Sequence, residues 1–325
     1  MIPHIDIQGN IAQPGATQIN NVIPLPYNTI NDIDRSCLRA LRCPDTLVVK
    51  NRLIENKDKL LPQSIEWIRE NLHYKRWQTE DDVGLLWIKG GPGKGKTMTS
   101  IGLIEQFLQS QDDSTAVTYF FCQNADYELN TLAAIIKGLI LHLVHQQNEP
   151  KESLRRRWDT VNGRFEQDVT SWRALWDIFM EMLYNCKCPR VYVIVDALDE
   201  CRDESMTDFL KLLVRTGLNH PSKVKWVLTS RALGSAEGEL LIGHDLVQVS
   251  LDDNFKQTSK AITTYIAFKV GELTHRHGYG TTLQEKIKRQ LTEKAEGTYL
   301  WICRKTCMIF IIECSISSTT VSRLM

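Results

Sequence analysis

Residues 90–97 have the composition and spacing of a phosphate-binding loop. They fit the pattern G-x-x-x-x-G-K-[ST], and they lie between the apolar run 85–88 and a helical pattern over 97–109. Glycines let the backbone curl so that its N–H groups converge on phosphate oxygens, and the following helix adds its positive end. The residues that we predict to bind nucleotide are Gly90, Gly91, Pro92, Gly93, Lys94, Gly95, Lys96, Thr97 and Met98.

A run of acidic residues follows the most apolar stretch of the chain. Residues 191–195 are Val, Tyr, Val, Ile and Val, which predicts a parallel strand buried on both faces. Asp196 at its tip offers the oxygen ligand that Mg²⁺ prefers, so Asp196 and the Thr97 hydroxyl are the predicted metal ligands. Glu200 is predicted to orient or deprotonate an attacking water, with Asp199 as a second candidate for metal or water.

The next predicted strand ends in Thr229, Ser230 and Arg231. In a parallel sheet this end emerges at the same carboxyl edge as Asp196. The two hydroxyls are candidates for hydrogen bonds to the γ-phosphate or to the water, and Arg231 is a candidate for neutralising phosphate charge. The alternative is a plain surface arginine after a hydroxyl cap.

Two absent motifs narrow the choice of nucleotide. The sequence has no N-K-x-D motif for reading a guanine base, which favours ATP or ADP over GTP. It has no G-x-G-x-x-G motif after a strand, so a dinucleotide-binding fold is unsupported. The predicted cofactors are therefore ATP or ADP together with Mg²⁺.

The composition argues against several partners. Thirty-nine basic residues balance 39 acidic ones, which gives no electrostatic support for binding nucleic acid or an anionic membrane. The N-terminus lacks the features of a signal peptide, and no stretch is long and apolar enough to span a membrane. The nine cysteines include no C-x-x-C pair and no histidine at zinc spacing, so we expect a reducing, cytoplasmic location.

The elements that must position these residues alternate along the chain. Strand-like stretches over 85–88, 117–122, 191–195, 224–229 and 246–249 are separated by helical ones, and the last is expected at a sheet edge. This alternation predicts an α/β, doubly wound parallel sheet. An acidic loop is expected over 77–84, and a mainly helical region after residue 259.

In combination, these motifs resemble a NACHT-type module of the STAND class of signal-transduction ATPases. The resemblance is to the form found in fungal NOD-like incompatibility proteins and nephrocystin-like proteins, and it covers about residues 37–302. The matching stretches are LLWIKGGPGKGKTM (85–98), YFFC (119–122), YVIVDALDEC (192–201), LTSR (228–231) and KAEGTYLW (294–301).

The resemblance implies a P-loop NTPase whose sheet has the order 5-1-4-3-2, acting as a switch rather than as a metabolic enzyme. ADP would hold a closed state, and exchange for ATP would open the module for self-association or for a partner signalling protein. By position, Lys96 would bind phosphate, Thr97 and Asp196 would hold Mg²⁺, Asp199 and Glu200 would support slow hydrolysis, and Arg231 would be the sensor arginine.

Five regions are predicted. They are a flexible N-terminal segment (1–30), an N-terminal helical region (31–80), the NACHT core (81–250), a helical subdomain (251–302) and an atypical tail (303–325). Residues 4–24 faintly resemble amyloid-signalling motifs, since Gln and Asn with spaced isoleucines suit cross-strand stacking, although Pro14 opposes it. A disordered tail is the alternative. Members of the family usually continue into ligand-sensing repeats, so we expect a truncated product.

Two other functions stay open at this point. One is a P-loop phosphotransferase such as a small-molecule kinase, against which the hydrolase-style acids and the lack of an arginine-rich lid both argue. The other is a nucleotide-binding scaffold that no longer hydrolyses its nucleotide.

Overall fold

The computed structural model describes residues 38–57, 65–109, 114–146, 148–161, 169–242, 245–295 and 297–299. The N-terminal segment 1–30 and the tail 303–325 lie outside these residues, as does Trp301 at the end of the last matching stretch. The interpretations of those segments therefore stay predictions.

Five parallel strands form one sheet. They are β1 (Leu85–Lys89), β2 (Thr115–Phe121), β3 (Arg190–Asp196), β4 (Val224–Ser230) and β5 (Leu246–Ser250). Their order across the sheet is β2-β3-β4-β1-β5, and every neighbouring pair is parallel. Read from the other edge, this is the order 5-1-4-3-2. The predicted fold class, an α/β P-loop NTPase, is confirmed, and β5 lies at the edge as expected.

Helices connect the strands and cover the sheet. They are α1 (Thr46–Lys57), α2 (Glu66–Glu70), α3 (Leu72–Thr79), α4 (Lys96–Gln109), α5 (Leu132–Gln146), α6 (Asn148–Val161), α7 (Trp172–Asn185), α8 (Met206–Leu212), α9 (Glu237–Leu241), α10 (Phe255–His277) and α11 (Thr281–Ala295). A helical turn also spans 38–41, and short 3₁₀ turns lie at Leu198–Glu200 and Gly234–Ala236. None of the helices in the described ranges has the length and apolar character needed to cross a membrane.

The central strands are buried on both faces. All seven residues of β4 are buried, and in β3 Val191, Val193, Ile194 and Val195 have no exposed surface. A strand of β-branched residues has no polar face to turn to water, so it is stable only between two layers of helices. This explains why the acidic residues appear only where β3 ends.

Helix α3 extends further than the sequence suggested. The Asn71 side chain caps its first turn by accepting the N–H of His73 at 2.9 Å. We expected an acidic loop over 77–84, but residues 77–79 are helical. Trp77 is fully buried, with its ring 6.1 Å from Phe107 and 5.8 Å from Tyr192. Burial of this large aromatic side chain stabilises the extra turn.

The strand register brings the carboxyl ends of the central strands to one edge. Lys89, the last residue of β1, pairs with Ser230 of β4 and with Ser250 of β5. In the same register, Val195 of β3 pairs with Leu228 of β4. The loop after β1 and the acidic turn after β3 therefore lie at the same edge, as the alternating pattern predicted.

Helices α10 and α11 have a small hydrophobic cluster of their own. Its buried members are Ile262, Tyr265, Ile266, Val270, Ile287, Leu291 and Ala295, and Tyr299 packs against them. The pair falls within the range 251–302 for which we predict a helical subdomain. The boundaries of the five predicted regions stay predictions.

Candidate nucleotide-binding site

The phosphate-binding loop connects β1 to α4 and contains two glycines in the left-handed backbone region. The φ angle is +71° at Gly93 and +92° at Gly95, a conformation that residues with a Cβ rarely adopt. A Cβ on Gly95 would also lie 2.8 Å from Cε2 of Tyr299. Backbone conformation and available space therefore both require glycine at position 95.

Lys96 is the first residue of α4 and folds back into the loop. Its Nζ donates hydrogen bonds to the carbonyl oxygens of Gly90 and Gly91, at 2.7 and 3.0 Å. Burial lowers the pKa of Lys96 below its ordinary value, and nearby carboxylates oppose that shift. The charged side chains that act on its pKa are those of Asp199, Asp196, Arg231 and Asp252. These residues come from three separate strand ends, so one ammonium group sits among all of them.

The other loop residues lie around this lysine. Pro92 is exposed on the outer turn of the loop, and Thr97 is half-buried in the first turn of α4. Met98 lines a pocket beside the loop. Other residues that line the pocket are Trp67, Lys94, Gly95, Leu251 and Tyr299.

Asp196 is held in a fixed orientation at the tip of β3. The residue is only 2% exposed, and its Oδ1 accepts hydrogen bonds from Ser100 Oγ at 2.7 Å and from Thr229 Oγ1 at 2.6 Å. Thr229 Oγ1 in turn accepts the N–H of Ala197 at 2.9 Å. Both bonds to the carboxylate use Oδ1, so Oδ2 is the oxygen that they leave for a metal ion.

The hydroxyls of Thr229 and Ser230 form hydrogen bonds within the protein. Thr229 binds Asp196, and Ser230 Oγ accepts a hydrogen bond from Trp87 Nε1 at 2.8 Å. Neither residue has exposed surface. This differs from the phosphate or water contacts that the sequence suggested, because burial directs both hydroxyls into the sheet.

A left-handed residue turns the chain from β3 into the acidic segment. Ala197 has φ of +54°, which costs an L-residue with a Cβ about 1–2 kcal/mol. The turn Leu198–Glu200 follows at once and carries the two remaining predicted acids. Strain of this kind persists where the surrounding structure fixes the backbone, here through the Ala197–Thr229 bond.

Asp199 and Arg231 contact each other. Asp199 Oδ1 accepts the backbone N–H of Arg231 at 2.9 Å, and its Oδ2 lies 3.3 Å from Arg231 Nε. The Arg231 side chain is 53% exposed and that of Asp199 is 13% exposed. The predicted sensor arginine therefore lies at the predicted edge, with its charge paired to an acid.

Glu200 is hydrogen-bonded to the loop after β2. Its Oε2 accepts the N–H of Asn124 at 3.0 Å. The Asn124 side-chain oxygen accepts a hydrogen bond from Arg202 Nε, and the N–H of Arg202 donates to the Asn130 carbonyl at 2.7 Å. The predicted water-orienting carboxylate is thus held by a backbone N–H of the loop that follows β2.

A family comparison decides the identity of the module. The family model described as "Nephrocystin 3, N-terminal" matches residues 63–231, just over half of the 325 residues. The chain belongs to this family. The matched range includes the phosphate loop, Asp196, Asp199 and Glu200, and it ends at Arg231.

A curated relative supports the same assignment. The chain is 33% identical over 269 residues to the vegetative incompatibility protein HET-E-1 of Podospora anserina. The match covers 83% of this chain but only 20% of that protein, so the chain spans about a fifth of its relative's length. The predicted resemblance to NACHT-type modules of fungal incompatibility and nephrocystin-like proteins is confirmed, and it supports a nucleotide-binding, NTPase-type module.

Solved structures resemble the nephrocystin 3 N-terminal module only distantly. PCH-2 of C. elegans matches with a TM-score of 0.40 and 14% identity, over 88% of this chain and 72% of that one. Orc1 of Aeropyrum pernix, solved in complex with DNA, matches with a TM-score of 0.38 and 14% identity, over 80% of this chain and 66% of that one. The fold assignment depends on the strand order and not on these scores.

The residues of the module fit a nucleotide with Mg²⁺. Within the described ranges, no group of three or more His, Cys, Asp and Glu side chains is arranged to hold a metal ion. Mg²⁺ at nucleotide sites usually takes one or two protein ligands and completes its shell with phosphates and water. Thr97 and the Oδ2 of Asp196 match that donor set. Neither residue's role is tested by the comparisons, so both assignments stay predictions.

Sequence reasoning did not find two residues at this site. Ser100 lies one turn after Thr97 on α4, and this spacing could have identified it as a partner for Asp196. Asp252 follows β5, and its Oδ2 accepts the N–H of Gly91 at 2.9 Å. Its position just beyond a strand at the shared edge was the available signal.

Proposed function

We propose that this nephrocystin 3 N-terminal module binds ATP with Mg²⁺, hydrolyses it slowly, and uses the bound nucleotide as a signalling switch. One observation carries the proposal: the Lys96 ammonium is folded into the phosphate-binding loop at the sheet edge where Asp196 is bonded to Thr229 and Asp199 to Arg231. A cation for phosphate, an acid for metal and an exchangeable arginine are thus gathered at one sheet edge. A purely structural loop would need none of these charges beside it.

Nucleotide binding would replace the hydrogen bonds that Lys96 makes within the loop with charge-assisted hydrogen bonds to phosphate. Lys96 now donates to the carbonyls of Gly90 and Gly91, and it would donate instead to phosphate oxygens, which accept stronger bonds than neutral carbonyls. Thr97 and Asp196 would hold Mg²⁺, which neutralises phosphate charge when bound. Ser100 and Thr229 keep the Asp196 carboxylate in orientation for that role.

Hydrolysis would depend on Glu200 and Arg231. Glu200 would orient the attacking water, and its bond to the Asn124 N–H would hold the carboxylate near the loop after β2 during that step. Arg231 would exchange its ion pair with Asp199 for the γ-phosphate. This exchange gives the protein a means of distinguishing ATP from ADP.

The switch itself requires only a modest energy difference. A nucleotide pair that prefers opposite states by about 100-fold moves the equilibrium by about 2.7 kcal/mol. On the pattern of NACHT modules, ADP would hold a closed state, and ATP would open the module for self-association or for a partner signalling protein. The similarity to a vegetative incompatibility protein supports a role in incompatibility signalling. On the pattern of NACHT modules, that role would be NOD-like signalling in the cytoplasm.

Two substitutions test this proposal. Lys96→Ala should weaken ATP and ADP binding at least about 100-fold, because bonds from an ammonium to phosphate contribute about 1.5–3 kcal/mol each. Glu200→Gln should keep the affinity and lower single-turnover hydrolysis by about 10²–10³. Calorimetry with Mg²⁺-ATP and single-turnover assays measure the two effects. The control is Lys288→Ala on α11, where the lysine pairs with Glu285 of the same helix.

The same assays separate the alternatives. Wild-type affinity in Lys96→Ala would remove the proposed site. Rapid phosphoryl transfer to an added acceptor would show a kinase instead of a switch. Tight binding without any hydrolysis, in wild type and Glu200→Gln alike, would leave a nucleotide-binding scaffold.

A further inference from the structure

Residues 297–299, which we call the strap, lie directly against the phosphate-binding loop. The N–H of Tyr299 donates a 2.7 Å hydrogen bond to the carbonyl of Gly93. The Lys94 ammonium donates to the carbonyl of Gly297 at 3.0 Å. The Tyr299 ring lies over Gly95, where a Cβ would be 2.8 Å from Cε2. Three contacts of different kinds therefore join the strap to three consecutive loop residues.

The backbone conformation and the side chains of the strap also suit this contact. Gly297 has φ of +69°, and a Cβ there would lie 2.9 Å from the ring of Phe255. Thr298 closes the end of α11, since its N–H and its hydroxyl both donate to the Ala295 carbonyl, at 2.8 and 2.9 Å. Beyond that end, the Tyr299 ring meets Tyr265 of α10 edge to face at 5.6 Å. The strap thus connects the loop to the core of the helical pair.

The contacts of Lys94 point away from a role in phosphate binding. Its side chain is 16% exposed, and its Nζ bonds to Gly297 O, lies 5.9 Å above the Phe255 ring and is 3.9 Å from Asp252 Oδ1. All three partners lie in the segment after β5. Lys96, two residues later, points into the loop instead and bonds to Gly90 and Gly91. The two lysines of the loop therefore face different parts of the molecule.

We propose that the strap positions the phosphate-binding loop, and that Lys94 is a positioning residue that holds the strap in place rather than a phosphate ligand. The Tyr299–Gly93 bond fixes the Gly93 carbonyl in the part of the loop where the backbone is left-handed, so the loop keeps its curled shape. Removing Lys94 loosens the strap, and the loop amides then lose order. This inference rests on the proposed function only for its effect on nucleotide affinity.

Amide hydrogen exchange in the nucleotide-free protein tests the inference directly. Lys94→Met should speed exchange of the Tyr299 amide about tenfold to 100-fold, because a bond from a charged donor is lost. Exchange of the Thr99 amide, whose N–H donates to the Gly95 carbonyl of the loop at 2.9 Å, should change in the same direction. Lys94→Arg, which keeps a donor, should restore at least part of the protection. Lys288→Met, which removes a one-third-exposed lysine of α11 that pairs with Glu285 of the same helix, should leave both amides unchanged.

A second pair of variants separates the backbone bond from the aromatic ring. Tyr299→Pro removes the N–H donor, whereas Tyr299→Ala keeps it and removes only the ring. If the backbone bond positions the loop, Tyr299→Pro should speed exchange of the Thr99 amide, which bonds to the Gly95 carbonyl, more than Tyr299→Ala does, at equal thermal stability. Unchanged loop protection in Lys94→Met and Tyr299→Pro would overturn the inference.

Nucleotide titrations complete the test and keep the two proposals distinguishable. If the contact between strap and loop raises the affinity for nucleotide, bound nucleotide must stabilise that contact by the same factor. Mg²⁺-ADP should therefore slow Tyr299 exchange by at least the factor by which Lys94→Met weakens ADP binding. If wild type binds no nucleotide, the proposed function fails, and the exchange data alone decide on the strap. If Lys94→Met weakens ADP binding and leaves the unliganded Tyr299 amide protected, Lys94 is a phosphate ligand and the inference is wrong.

Discussion

At the scale of single residues, the ion pair between Asp199 and Arg231 is positioned to decide the response to the γ-phosphate. Arg231 is more than half exposed, and ion pairs of that kind contribute only about 0–1 kcal/mol. The pair can therefore be broken at little cost by a phosphate that offers more charge. The backbone N–H of Arg231 stays bonded to Asp199 Oδ1 at 2.9 Å, so the side chain can move without the strand end moving.

Substitutions of the two partners should shift the ATP-to-ADP affinity ratio in opposite directions. Arg231→Gln should weaken ATP binding about tenfold and leave ADP binding nearly unchanged, because only ATP has the third phosphate. Asp199→Asn should shift the ATP-to-ADP affinity ratio the other way, because it frees Arg231 and removes one negative charge. Calorimetry with both nucleotides measures the ratio. Equal losses for ATP and ADP in Arg231→Gln would contradict a sensor role.

At the scale of elements, α5 approaches β2 closely enough to require a glycine. A Cβ on Gly138 would lie 2.3 Å from Phe120 Cδ2 and 3.2 Å from Thr46 Cγ2. Phe120 is buried near the end of β2 and has little freedom to move aside. Glycine normally weakens a helix interior by about 1 kcal/mol relative to alanine, so this contact must outweigh the helix propensity.

Gly138→Ala should therefore lower the free energy of unfolding by about 1–3 kcal/mol, as overpacking does in well-filled cores. Gly271→Ala is the matched control, because Gly271 lies in helix α10 with nothing within 4 Å of a new Cβ. That variant should be neutral or more stable by about 0.5–1 kcal/mol. Urea denaturation compares the two, and a stabilised Gly138→Ala would show that α5 can shift away from the sheet.

At the scale of the whole molecule, a partly buried histidine makes the fold sensitive to acid. Burial, followed by the nearby charges of His145 and Lys50, lowers the pKa of His142 to about 3. Its ring lies 4.2 Å from that of Tyr119, and its Nδ1 is 2.9 Å from Gln146 Nε2. The folded protein therefore keeps this imidazole neutral, whereas the unfolded chain protonates it below pH 6.5.

The sign of the effect follows from proton binding. Between pH 6.5 and about 3 the unfolded state binds more protons at His142, so the free energy of unfolding falls as the pH falls. The slope from this one group should reach about 1.4 kcal/mol per pH unit. Urea denaturation of wild type and His142→Gln at pH 7 to 4.5 measures it. Parallel pH profiles for the two proteins would show that His142 is not the responsible group.

The sequence by itself determined the parts of this protein that are encoded in consecutive residues. The loop 90–97, the β3 run and the acids after it are local patterns, so they could be identified without a structure. The strand order 5-1-4-3-2 was predicted only from the resemblance to NACHT modules. A parallel sheet collects such strand ends at one edge, which is why Asp196 and Arg231 could be predicted to meet the loop.

Only the tertiary structure decided which side chains contact each other at that edge. Ser100 with Asp196 and Asp252 with Gly91 are 96 and 161 residues apart, and no local pattern joins them. The end of α3 was misjudged because burial of Trp77, a long-range effect, extends the helix. The two lysines of the loop read alike in the sequence. The fold separates them, because Lys96 turns into the curled backbone while Lys94 reaches a strap 203 residues further along the chain.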